Sequence, residues 1–204
     1  MEKRLGFAAW TVLTLLVSIP LVAEVEVTPF VGFQAGGGFD TREGDLNVDP
    51  SANLGLVVSI RTRHDGLVEF LYSRQPTTLE LDGILESGTL FDLNVEYFHF
   101  GGLWEIETDN SRPFLGMTLG ATHLDPEEAG FSDEWAFSAG ISGGAKFFFT
   151  ERLAARIEGR GMLTLFSTSG AIFCGFPPGQ CGLAVTGSSF AQISALVGLT
   201  YAIP

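Results

Sequence analysis

Basic side chains are scarce in this chain. Of its 204 residues only 11 are lysine or arginine, against 24 aspartates and glutamates, for a formal net charge of −13. Loss of Lys3 and Arg4 with a leader would leave it more acidic still. Nucleic-acid binding needs a basic surface and is excluded as an expectation. Long apolar runs are missing too. After residue 23 no stretch approaches the roughly 18 apolar residues from which a spanning helix is read. Charge of either sign is sparse at 17%, while 46% of the residues are hydrophobic. An oily, acidic chain without a spanning helix beyond its start leaves one way to cross a bilayer, a closed sheet.

Cysteine is limited to Cys174 and Cys181, in FCGFPPGQC. They stand too far apart for a CxxC metal or redox pair, and no histidine is near. Export would favour a disulfide between them; two free buried thiols are the alternative. Histidine is limited to His64, His99 and His123. No DxDxDG calcium spacing occurs, and neither a metal nor a cofactor is expected.

What the chain has instead is alternation. Residues 135–165 read as two long strands around a tight turn at 149–152. Trp135, Phe137, Ala139, Ile141, Ala145 and Phe147 share one parity, with Ser138, Gly140, Ser142 and Lys146 on the other. On the next strand Leu153, Ala155, Ile157, Leu163 and Leu165 oppose Arg156, Glu158, Arg160 and Thr164. A period of two marks strands. In a soluble fold the oily parity would be core and the charges wet; in a membrane barrel the oily parity meets lipid and the charges face the lumen.

The same pattern recurs at 25–36, 52–61, 67–75, 89–106, 112–123 and 189–203, which makes eight strands with the opening pair. Within 89–106, Phe91, Leu93, Val95 and Tyr97 are taken as the oily parity and Asp92, Asn94 and Glu96 as the inward one. Tyr97, Phe98, Phe100 and Trp104 are expected in an interfacial girdle. Pro29 lacks a backbone donor and marks an irregular position. The connections alternate long and short, with long loops at about 37–51, 76–88, 124–134 and 167–188. Antiparallel neighbours then gather all long loops at one end. Those loops hold Asp40, Glu43, Asp45, Asp49, Glu80, Asp82, Glu86, Asp125, Glu127, Glu128, Asp133 and Glu134 against one base, Arg42. They are either a solvated rim or weak divalent-cation bridges to neighbouring lipopolysaccharide phosphates.

Residues 1–23 resemble a secretory signal peptide: Lys3 and Arg4, an apolar run from Leu5 to Val22, and Ala23 as cleavage point. A single membrane anchor is the alternative reading. Residues 24–204 are then the barrel domain. The expected fold is all-β, an eight-stranded antiparallel up-and-down transmembrane β-barrel. In so narrow a barrel, side chains fill the lumen. The inward charges Glu26, Arg61, Glu69, Asp92, Glu96, Lys146, Arg156, Glu158 and Arg160 must therefore pair. They are either a plug of salt bridges or a gated path.

RPFLGMTLGA at 112–121 and residues 135–163 resemble the outer-membrane β-barrel superfamily around outer-membrane protein A and its opacity-type relatives. The resemblance implies a monomer in the bacterial outer membrane with both termini periplasmic. Membrane lipid, lipopolysaccharide and the barrel-assembly machinery are the implied partners. The chain ends YAIP where the family often ends on an aromatic residue, with Tyr201 the nearest substitute. Lipid-modifying barrels of this kind carry a His and a Ser two apart on a lipid-facing strand, and His123 has no such serine, so no catalytic residue is expected. In the apolar loop AIFCGFPPGQCGLAV, Ile172, Phe173 and Phe176 are candidates for an outer contact, or they fold onto the barrel mouth. An envelope structural or surface-interaction role is expected. The alternative is a small pore or hydrophobic-solute conduit.

Overall fold

The computed structural model describes residues 24–40, 45–62, 66–82, 87–128, 131–166, 171–174, 181–184 and 189–203. The proposed leader, His64, Phe176 and the acids Glu43 and Glu86 lie outside them. Among the described residues, twelve strands run in the order β1 (Val25–Gly36), β2 (Gly38–Asp40), β3 (Asp45–Val48), β4 (Ser51–Arg61), β5 (Gly66–Asp82), β6 (Ser87–Glu105), β7 (Ser111–Pro126), β8 (Glu134–Phe148), β9 (Leu153–Leu165), β10 (Ala171–Cys174), β11 (Cys181–Ala184) and β12 (Ser189–Ile203). The barrel wall follows the circular order β5-β4-β1-β12-β9-β8-β7-β6, closed by pairing of β6 with β5. Every wall pairing is antiparallel. No helix among the described residues is long and apolar enough to cross a membrane, which says nothing of crossing by strands.

The outward face of the wall is apolar. Leu115, Met117 and Leu119 on β7, Ile141 on β8 and Ile193 and Val197 on β12 are each more than half exposed. The alternate positions on the same strands, such as Thr118, Ser138, Ser142, Lys146 and Thr200, are buried. This inside-out arrangement is stable only where the surrounding solvent is apolar, since it leaves large aliphatic side chains on the surface and polar ones within. The band has aromatic edges. Tyr72, Phe98 and Trp135 stand toward the end bearing the long loops, with Phe98 and Trp135 rings 5.7 Å apart. Trp104, Phe149 and Tyr201 mark the other end.

Tight curvature of so small a barrel is reached at inward glycines. At Gly120 on β7, a β-carbon would run into the carbonyl oxygen of Phe98 and the Cα and ring of His99. Because the obstacle is backbone of the adjacent strand, it cannot swing away. Gly120→Ala is expected to lower stability by about 1–3 kcal/mol, read as a lower urea midpoint for the barrel refolded in lipid vesicles.

Two sequence expectations change. The segments read as loops at 37–51 and 76–88 are largely strand: β2 and β3 form a hairpin whose second strand pairs with Leu79–Asp82 of β5. β5 and β6 likewise stay paired out to Asp82↔Ser87. Acidic composition suggests loop, yet an acid such as Glu80, partly exposed next to buried Leu79, is unexceptional on a strand standing in water. The second change concerns β6. Phe91, Leu93, Val95 and Tyr97 point into the barrel and are buried, with Tyr97 in the lumen rather than in a girdle. With Val48, Leu79, Leu124 and Phe190 they form an apolar core at the long-loop end. There the wall has left the apolar band, water is the outer solvent, and the usual oily-inside rule of soluble sheets returns.

Candidate functional site: the bridged lumen

The lumen is crossed at successive levels. Nearest the short turns, Lys146 on β8 contacts the carboxylates of Glu26 on β1 and Glu105 on β6. Arg61, closing β4, reaches Glu24 at 2.7 Å, Glu26 at 3.1 Å and Glu105 at 3.2 Å. Lys146, Glu26 and Glu105 are almost wholly enclosed. Leu67, Leu103 and Phe114 form a small apolar cluster of their own.

The next level is a closed ring of four charges. Arg156 Nε donates to Glu158 Oε2 at 2.7 Å and its NH2 group to Glu69 Oε2 at 2.8 Å. Arg160 repeats the pattern on the other oxygens, Nε to Glu158 Oε1 at 2.7 Å and NH2 to Glu69 Oε1 at 2.8 Å. Each carboxylate is thus held by both guanidinium groups, in charge-assisted geometry. Arg156 also lies over the Phe114 ring, 4.5 Å from its centre. Three of the four charges come from β9, because residues 156, 158 and 160 share one face of a strand. Glu69 comes from β5, which stands four places round the eight-strand wall from β9. The ring therefore spans the full diameter of the barrel.

Beyond it the contacts are uncharged. His99 lies between Thr118 Oγ1 at 2.9 Å and Ser138 Oγ at 2.7 Å. Tyr97 donates its hydroxyl to Gln192 Oε1 at 2.8 Å, again from a strand opposite in the wall. Gln192 in turn donates to Gln75 at 3.0 Å and accepts from Gln34 at 2.6 Å. Asn53 donates to Gln34 at 2.9 Å. The apolar core described above lies next.

Of the charges expected in the lumen, Glu26, Arg61, Glu69, Lys146, Arg156, Glu158 and Arg160 come together there. Asp92 and Glu96 do not, and this corrects the sequence reading. Asp92 is exposed, at a rim recess of about 440 Å³ shared with Asp49 and Glu127. Glu96 faces outward, accepting from Tyr72 at 2.7 Å. Both follow from the inversion on β6: once its apolar residues turn inward, its acids must turn out. Sequence reasoning missed Glu24 and Glu105, which sit at strand ends where parity is hard to extend. The paired glycines Gly101 and Gly102 hide the alternation that leads from His99 to Glu105. It also missed the amide layer of Gln34, Asn53, Gln75 and Gln192, whose only signal is inward parity.

The Ser138–His99 distance is that of a nucleophile and its base. Both groups are buried in the lumen, however, and the second ring nitrogen meets Thr118 rather than a carboxylate. No group of three or more potential metal ligands occurs among the described residues. Cys174 and Cys181 are direct partners in the β10–β11 hairpin, and Ile172 stands opposite Leu183 there.

No family model matches the chain, and no curated protein matches it. Solved structures do. The crystal structure of Neisserial surface protein A is similar over 87% of this chain and 96% of its own, with a TM-score of 0.61 and 12% identity. The outer membrane protein OprG from Pseudomonas aeruginosa is similar over 89% of this chain and 96% of its own, with a TM-score of 0.57 and 14% identity. At such identities the likeness carries the fold: this chain has the architecture of the eight-stranded outer-membrane barrels. A shared fold does not decide an activity.

Proposed function

We propose that the protein is an integral outer-membrane barrel that serves the cell envelope as a structural or surface-interaction protein, without a conducting channel. The carrying observation is the ring of Glu69, Arg156, Glu158 and Arg160, which joins opposite walls. An open path would need these charges separated and hydrated, at the cost of contacts made at 2.7–2.8 Å. The described ends of the wall, Glu24 and Ile203, stand at the short-turn end, the periplasmic one in this reading, which turns the opposite, acidic end outward from the cell. Lipid and lipopolysaccharide surround the apolar band as a monomer, and the barrel-assembly machinery inserts it. The enclosure of His99 and Ser138 supports a non-enzymatic role. The register Cys174↔Cys181 supports a disulfide that closes the β10–β11 hairpin, and with it a rigid outer element for contact.

Reconstitution into planar bilayers tests the reading. The expected result is electrical silence for the native protein and steps for Glu69→Ala, which removes one wall's share of the ring. Persistent unitary steps from the native protein would favour the pore instead.

A further inference from the structure

On the outward face just beyond the apolar band, His123 of β7 is held by carboxylates on both sides. Its Nδ1 lies 3.0 Å from Glu96 Oε2 on β6, and its Nε2 lies 3.0 Å from Asp133 Oδ2, in the segment between β7 and β8. A neutral imidazole has one N–H and one lone pair. It can satisfy only one of these oxygens and turns its lone pair on the other. The two contacts coexist only in the doubly protonated ring. The ring also stacks on Trp135, with centroids 4.3 Å apart.

Asp133 closes the connection between β7 and β8. Its described residues pack against the barrel mouth at both ends of the connection. Glu127 accepts from Asn94 at 2.8 Å, and its amide donates to the carbonyl of Asp92 at 2.9 Å. Phe131 stacks on Phe91 at 5.1 Å and packs against the apolar core of the mouth.

We propose that residues 131–133 of this connection are a lid latched by a proton: imidazolium His123 ties Asp133 to Glu96 and holds Phe131 over the apolar mouth, and loss of the proton frees Asp133 and lets Phe131 lift.

The groups around the ring set the sign. From β5, the Tyr72 hydroxyl and Arg74 act on Glu96, Arg74 at 4.0 Å. From β6 comes Glu96 itself, and from the β8 side Asp133 and Trp135. Glu134 belongs to the opposite parity, across from Leu124. Asp125, two residues along β7, is exposed and pairs across from Asn94. Burial pulls the imidazole down, but the hydrogen bonds and charges of Glu96 and Asp133 outweigh it and hold His123 above its ordinary value. The hydrogen bond from His123 holds Asp133 below the usual carboxylate range. The latch is therefore complete below the ordinary histidine value of about 6.5 and is lost as pH rises through the raised one.

The test uses the protein refolded in nanodiscs, with NMR titration of the His123 ring and mass-mapped proteolysis of residues 127–133 across pH 5.5–8.5. The His123→Gln variant corrects for the protease's own pH dependence. The expected cleavage, relative to that variant, rises on the order of ten-fold per pH unit above the His123 midpoint. Asp133→Ala, which leaves Nε2 without a partner there, is expected to give the released lid at every pH, with His123 still titrating and the barrel still folded. Native cleavage that follows the same pH course as His123→Gln would overturn the proposal. So would a ring midpoint at or below the ordinary value.

Discussion

Arg156→Ala is expected to lower the unfolding free energy of the barrel by about 3–5 kcal/mol. Urea titration of the protein in lipid vesicles, followed by the fluorescence of Trp104 and Trp135, measures it. Arg156 is wholly enclosed, and its removal leaves Glu69 and Glu158 sharing the single guanidinium of Arg160. A buried carboxylate with half its partners costs more than the lost contacts alone, because no water replaces them. Arg156→Lys keeps the charge but loses the fork that reaches two carboxylates at once, so an intermediate loss is expected. The double variant Arg156→Leu with Glu158→Leu should recover part of the stability, since it removes a charge of each sign. If Arg156→Ala costs less than about 1 kcal/mol, the ring is wet and the lumen is hydrated rather than sealed.

The second large effect lies on the other face of the wall. Ile141→Arg is expected to cost about 2–4 kcal/mol in the same assay. Ile141 is 63% exposed in the middle of the outward apolar stretch of β8, where its surroundings would be acyl chains. The opposite outcome is equally clear: an exposed isoleucine on a water-soluble barrel accepts arginine with no loss. Thr78→Arg is the control, since Thr78 lies on β5 beyond the band, where the outer solvent is water; near neutrality is expected. A similar cost at both positions would mean that the apolar belt does not mark a membrane.

Much of the architecture could be read from alternation. On β8 and β9 the two parities divide so sharply that Lys146, Arg156, Glu158 and Arg160 read as one charged face, which a membrane barrel turns inward. On β1 the same reading puts Glu26 inward, as found. It failed on β6, where the alternation is just as regular but of opposite meaning. Phe91 and Phe100 belong to one strand, yet one faces the interior and the other the belt. A strand 19 residues long exceeds what a bilayer needs, roughly 9–11 residues. It passes from lipid into water, and at that boundary the favourable side for an apolar group changes from outside to inside.

Sequence by itself determined the eight strands of the wall and which face of β8 and β9 is charged, because a two-residue period needs no neighbour to be recognised. Only the tertiary structure decided that Glu69 meets a charge cluster of β9 across the full lumen, and that Asp92 and Glu96 stand outside it. It also brought His123 between two carboxylates from different segments. Each of these depends on how the wall closes and how high a residue stands in the membrane, and neither quantity is local to the chain.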